Sequence, residues 1–174
     1  FNRAAPSWSA EQLAANGIYE VVYDNTNLKD DRFYINGAES FTFANDTVTA
    51  SYAAATGKAL DDVNEVDEDG NALLDDDGVQ MVTSGLKTNE KNQIKAQAAG
   101  QLQSTDWYIV RHAEATTAIP ADVSTFRTAI RTKSNEIETS IDGASTVEAL
   151  EALFTYTTGA DDVVSRPLGE WPKL

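Results

Sequence analysis

Residues 120–154 read PADVSTFRTAIRTKSNEIETSIDGASTVEALEALF. Val123, Phe126, Ile130, Ile137 and Ile141 follow one another at steps of three, four, seven and four residues. At about 3.6 residues per turn those steps stay on one face, so the stretch predicts a long helix with a single apolar stripe. Arg127, Arg131, Lys133, Glu136 and Glu138 fall mainly off that stripe. Pro120 suits a first helical turn, where an N–H has no partner to lose, and Gly143 suits the end. Ser145, with Glu148 three residues on, has the form of a capping box. It predicts a short second helix carrying Val147, Leu150, Leu153 and Phe154. So short a link favours antiparallel packing of the two helices.

Upstream, Ile94, Ala98 and Leu102 recur at four-residue steps and predict a helix from about Thr88, as its cap, to about Gln103. Val79–Thr83 reads as a short strand before it, turned by Ser84-Gly85. Thr105-Asp106 follows this helix and reads as its cap, and Trp107-Tyr108-Ile109-Val110 reads as a brief extended segment. Trp107 then plugs the helical core, where truncation to alanine costs about 3–5 kcal/mol. The alternative is that Trp107 and Tyr108 dock another protein. The tail from Arg166 to Leu174 contains Pro167 and Pro172 and excludes a helix. Trp171 within it predicts packing on the helical domain or on a partner, because an indole buries a large apolar area.

The front of the chain reads differently. Ser9 and Gln12 form a capping box, and Asn16-Gly17 ends the helix it opens. Ile18–Tyr23 reads as a strand, Asp24–Asn27 as a turn, and Phe33–Ile35 as a strand closed by Asn36-Gly37, a hairpin signal with Ser40–Phe43 as the return. Asn45-Asp46 turns the chain again into an alternating strand, Thr47–Tyr52. The expectation is an α+β chain whose small N-terminal antiparallel sheet carries a short helix on it. Tyr23, Phe33, Phe41, Phe43 and Tyr52 form its core and cross-strand pairs.

Residues 61–78 hold nine acids and no base, against a net charge of −15 for the whole chain. Dense like charge favours solvent, so this stretch reads as a mobile linker or arm. With Gly70 at the sixth position of a calcium loop, Glu65, Asp67 and Asp69 take the first, third and fifth and Asp76 the twelfth. The fit is poor, because the twelfth position wants the longer Glu and Leu73 occupies the ninth. A third option is docking on a basic patch of a neighbouring subunit. The resulting organisation is a β-rich domain over 1–60, the acidic segment over 61–78, and a mainly helical domain with its Pro/Trp tail over 79–174. No internal repeat is read.

Composition excludes several classes. The chain has no cysteine and one histidine, which leaves no thiolate chemistry and a poor basis for zinc. His112, beside Arg111, reads as a surface or interface residue. No nucleophile elbow and no phosphate-cradling glycine loop occurs. No catalytic residue, metal site or cofactor is expected, and the chain reads as a non-enzyme. The acidity opposes binding to nucleic acid or to an anionic membrane surface, and no apolar run of about 18 residues predicts a membrane span.

Several of these residues carry a resemblance. Gln97-Ala98-Ala99-Gly100 with Thr105-Asp106-Trp107-Tyr108, Ile119-Pro120 with Phe126–Arg131, Ile141–Ala144, and Arg166–Pro172 resemble tail-associated structural proteins of tailed bacteriophages, marine cyanophages above all. Gly17-Ile18-Tyr19, Asn27–Asp30 and Arg32-Phe33-Tyr34 resemble the front halves of the same proteins. The tail-fibre assembly proteins are more distantly similar, over the helical back part. The resemblance implies a structural or adaptor protein of the virion, at the tail, baseplate or fibre, in several symmetry-related copies and with other virion proteins as partners. Trp107, Tyr108, Trp171, Pro167 and Pro172 are the candidate docking residues. A transient fibre-assembly chaperone and a head-decoration or neck protein are the alternatives. A glycan depolymerase would need paired acids that nothing here singles out.

Overall fold

Ser9 and Gln12 satisfy each other at the start of α1 (Ala10–Ala15). The Gln12 N–H donates to Ser9 Oγ at 3.3 Å, and the Ser9 N–H donates to Gln12 Oε1 at 2.8 Å. The computed structural model describes residues 8–174, and the chain divides into two units, one ending at Lys58 and one running from Ala59 to Leu174. The α+β class expected from the sequence holds throughout.

In the first unit, β1 (Val21–Asp24), β3 (Glu39–Ala44) and β4 (Thr47–Tyr52) form a three-stranded sheet in the order β1-β4-β3. β3 and β4 are an antiparallel hairpin turned by Asn45-Asp46, both at positive φ (50° and 57°), as a two-residue turn that follows the strand twist requires. β1 joins β4 in parallel, so the sheet is antiparallel on one side only. The hairpin read at Asn36-Gly37 does not form. Instead β2 (Tyr34–Ile35) pairs with β5 (Thr56–Gly57). The Asn36 side chain turns back on the chain, accepting from the Lys29 N–H and donating to the Lys29 carbonyl, each at 2.9 Å. Gly37 is needed for close approach rather than for a turn, because a Cβ there would lie 2.6 Å from the Ala53 carbonyl oxygen.

Phe33, Tyr34 and Ala50 are buried. The other expected core aromatics are not: Tyr23, Phe41 and Phe43 are 61%, 60% and 57% exposed. The alternation that the sequence displays does place them on one face with Val21 and Val48. The helix expected to cover that face does not lie over it. α1 buries no residue and borders a shallow cleft with Ile18, Tyr19 and the Asp46-Thr47 corner.

The second unit opens with the acidic segment, which is folded rather than an extended arm. β6 (Val63–Asn64) pairs with β7 (Val82–Thr83), and the bridges Val66–Ala72 and Leu74–Gln80 add two more antiparallel pairings. Two turns link these pairings and are built alike. Asp67 Oδ1 accepts the N–H groups of Asp69 and Asn71, and Asp75 Oδ1 those of Asp77 and Val79. Gly70 and Gly78 take positive φ in them. The sequence thus does hold an internal repeat: Val66-Asp67-Glu68-Asp69-Gly70 returns eight residues later as Leu74-Asp75-Asp76-Asp77-Gly78. The acids serve as turn-formers, which bind their own backbone and make local order out of a charged stretch. Of the four acids placed in the calcium loop, Asp67 accepts backbone amides and Glu65 accepts the Thr83 hydroxyl at 2.7 Å. Among the described residues, no three His, Asp or Glu side chains converge as a metal would require.

The helical part is built on α2 (Leu86–Gln103) and α4 (Ala121–Gly143). Ion pairs Lys91–Asp142 at 2.7 Å and Lys95–Glu138 at 3.4 Å fix them antiparallel. Leu86, Glu90, Ile94 and Ala98 are buried along α2, and the expected stripe Val123, Phe126, Ile130, Ile137 and Ile141 is buried along α4. The predicted pairing of α4 with the next helix is secondary to this one. α5 (Val147–Phe154) starts at Thr146 rather than Ser145, with Thr146 Oγ1 accepting the Ala149 N–H, and buries Leu150. The first cap also shifts. α2 begins at Gly85 rather than Thr88, and Asp62 Oδ1 accepts the Gly85 N–H at 2.8 Å. A hairpin absent from the sequence reading, β8 (Thr157–Thr158) with β9 (Val164–Ser165), precedes the tail.

Candidate functional site

The junction after α2 is where the strongest sequence motifs meet. Thr105 Oγ1 donates to the Leu102 carbonyl at 2.8 Å, which turns the chain within two residues of the helix end. Asp106 opens α3 (Asp106–Ala115), where a carboxylate favours the unpaired N–H groups of a first turn. Arg127 reaches this corner from α4. Its Nη1 donates to Thr105 Oγ1 at 2.7 Å, to Asp106 Oδ1 at 2.8 Å and to the Leu102 carbonyl at 3.1 Å. Thr105 and Arg127 are both buried. The buried guanidinium is held through Nη1, which finds three acceptors, while its buried Nε finds none. The clamp therefore fixes where α3 leaves the bundle.

α3 itself buries no residue. The extended segment expected at Trp107–Val110 is helical, since the clamped corner and the acidic first turn outweigh the β propensity of those side chains. Trp107 is 50% exposed, which overturns its reading as a core plug. Its ring stacks on Tyr108 with centroids 3.8 Å apart, and the Arg111 guanidinium lies over both rings, at 4.7 Å and 5.5 Å. Ile109 and Val110 are exposed on the same helix. Apolar side chains at consecutive positions point all round a helix, and a helix of that kind is normally covered. At its far end His112 Nδ1 and the Thr117 carbonyl are 2.9 Å apart, so this nitrogen carries the proton. Thr116 closes the helix in the left-handed region.

The remaining candidates lie elsewhere. Trp171 packs against the cluster of Ala98, Phe126 and Ile130, and its Nε1 donates to Gln97 Oε1 at 3.2 Å. Leu168 is buried beside it in sequence, so the tail is committed to the chain's own core. Pro172 borders an open groove along α4 with Ser124, Thr128 and Thr132. Pro167 borders a cleft beside α5. The five residues do not form one surface: Trp107 sits with Tyr108 on α3, and Trp171 with Pro172 against α4.

Sequence reasoning missed two members of the site. Arg111 carried a usable signal, since its spacings of four from Trp107 and three from Tyr108 meet on a helix. Arg127 carried none, being 22 residues from Thr105. Among the described residues, no helix is long and apolar enough to cross a membrane. The chain matches no protein-family model, and neither the curated proteins nor the solved structures contain a significant match to it.

Proposed function

We propose that this chain is a structural or adaptor component of a tailed-phage virion, held at the tail, baseplate or fibre by contacts with neighbouring subunits and present in several symmetry-related copies. The virion assignment rests on the motif resemblance. The observation that carries the adaptor role is the Trp107–Tyr108–Arg111 cluster on α3, with Trp107 exposed and Tyr108 and Arg111 half-buried, on a helix that a buried arginine clamp holds in place. Tryptophan, tyrosine and arginine are the residues that dominate protein interfaces, because they bury much area at little conformational cost. The motif residues divide the labour accordingly: Thr105, Asp106 and Arg127 hold, and Trp107 and Tyr108 are presented. No enzymatic activity is assigned.

The test is made on purified particles. Mass spectrometry finds the chain in the mature virion, and Trp107→Ala yields a folded protein that is no longer incorporated. Absence of the wild-type chain from particles, with assembly still dependent on it, means a transient chaperone instead. Normal incorporation of Trp107→Ala removes α3 as the docking site.

A further inference from the structure

The folded acidic segment has an internal symmetry of its own. Leu73 N–H donates to the Glu65 carbonyl at 3.0 Å, Met81 N–H to the Leu73 carbonyl at 2.8 Å, and Glu65 N–H to the Met81 carbonyl at 2.9 Å. These three bonds close a ring through residues spaced eight apart. Gln80 Nε2 lies 2.8 Å, 3.1 Å and 2.8 Å from the Glu65, Leu73 and Met81 carbonyl oxygens, so one amide sits where all three converge. The pairings that flank the ring repeat with the same period: Asn64 with Val82, Val66 with Ala72, Leu74 with Gln80. Residues 63–83 are thus three short arms about one pseudo-threefold axis, with the chain entering and leaving in the third.

The period assigns every arm residue to a triplet. One triplet is apolar at all three positions: Val66, Leu74 and Val82, which are 55%, 55% and 46% exposed. The neighbouring triplet, Glu65, Leu73 and Met81, is interrupted by a carboxylate. Acids flank the apolar ring in its two turns, Asp67–Asp69 and Asp75–Asp77, while at the entry Asp61 is paired with Lys87 at 3.0 Å and Asp62 accepts the Gly85 N–H. The charge opposes a second copy of this surface and favours a basic partner.

We infer that residues 63–83 dock on the axial end of a homotrimeric protein that presents three equivalent apolar side chains inside a Lys/Arg rim, one copy of this chain per trimer. An asymmetric surface engages one of three equivalent subunits and leaves two identical sites open. A threefold ring placed on the axis meets all three at once, and excludes a second copy from that end. The carboxylates give register and on-rate, and the apolar ring supplies the burial. This surface is distinct from α3, and the inference holds whatever α3 binds.

The experiment uses the full chain and a synthetic homotrimeric coiled coil as probe, with isoleucines in its terminal turn and lysines in the turn before it. Dimeric and tetrameric coiled coils with the same ends are the controls. Native mass spectrometry and calorimetry give the ratio and the affinity. The expected result is one chain per trimer, with binding to the dimer and tetramer at least about tenfold weaker. Val66→Asp, Leu74→Asp and Val82→Asp then each weaken trimer binding by a similar factor, about tenfold or more. Amide-exchange protection at Leu73 and Met81 verifies that each variant keeps the ring, and Val→Ala and Leu→Ala at the same positions replace any variant that loses it. Equal binding to all three coiled coils, two or more chains per trimer, no binding to the trimer, or a loss confined to one of the three positions overturns the proposal.

Discussion

Arg127 is the side chain on which the candidate site most depends. Removing it leaves Thr105 and the Leu102 carbonyl without their shared donor in a buried corner. Arg127→Ala therefore lowers stability by about 2–3 kcal/mol in urea denaturation, the usual loss for a charged hydrogen bond with buried partners. Arg127→Lys recovers part of it, because all three bonds leave one nitrogen and an ammonium also carries three N–H donors. Asp106→Asn costs much less, since its carboxylate is mostly in solvent and a screened pair contributes little. Trp107→Ala is expected to change stability by about 1 kcal/mol or less, in contrast to the about 3–5 kcal/mol of a buried indole. Thermal unfolding of the two variants separates a clamp that supports the fold from a ring displayed on it.

At the scale of elements, close backbone approach decides which glycines matter. A Cβ on Gly85 would lie 2.4 Å from the Asp61 carbonyl oxygen, where the acidic segment meets the start of α2, whereas one on Gly100 meets open space. Gly85→Ala should destabilise by about 1–3 kcal/mol as the backbone is forced apart. Gly100→Ala should stabilise by about 0.5–1 kcal/mol, as expected for a helix interior. Opposite signs in denaturant midpoints check the assignment. The turns of the acidic segment also respond to pH. The Asn71 side chain first, then its backbone amide, hold the Asp67 carboxyl below the ordinary carboxylate value. The Gly85 amide, then the Thr88 side chain, do the same for Asp62. A depressed folded-state value means that this stability is present above the ordinary value and lost as the pH falls through the depressed one. Amide protection at Asp69, Asn71 and Gly85 is therefore intact at neutral pH and declines in acid below the ordinary carboxylate range. Protection that is unchanged there would show that the carboxylates do not hold these turns.

For the whole molecule, the tail closes the core of the second unit. Leu168 is buried and Trp171 packs on the Ala98–Phe126–Ile130 cluster, so deleting residues 166–174 removes two apolar side chains from it. The truncated chain is expected to lose about 2–5 kcal/mol, read as a lower midpoint by circular dichroism. The elements whose signal is local can be read from the residues alone. Ser9 and Gln12 cap α1 through neighbours three residues apart, Asn45-Asp46 turns a hairpin through its own backbone preference, and the stripe from Val123 to Ile141 follows from helical period alone. Period and capping act over a few residues, so they survive without knowledge of the fold. Which faces find a partner depends on how the elements come together. Phe41 and Trp107 read as core side chains because they are large and apolar, yet burial is set by what lies opposite them. Phe41 lies on a sheet face that leaves it 60% exposed, and Trp107 stands on a helix that buries none of its residues. Asn36-Gly37 has the chemistry of a turn, but Ala53 and Lys29 take it for packing and hydrogen bonding. The same holds for the acidic segment. Each Asp–Gly turn is legible alone, while the ring through Glu65, Leu73 and Met81 exists only when three arms close on one another, a condition of geometry that no short stretch of residues encodes.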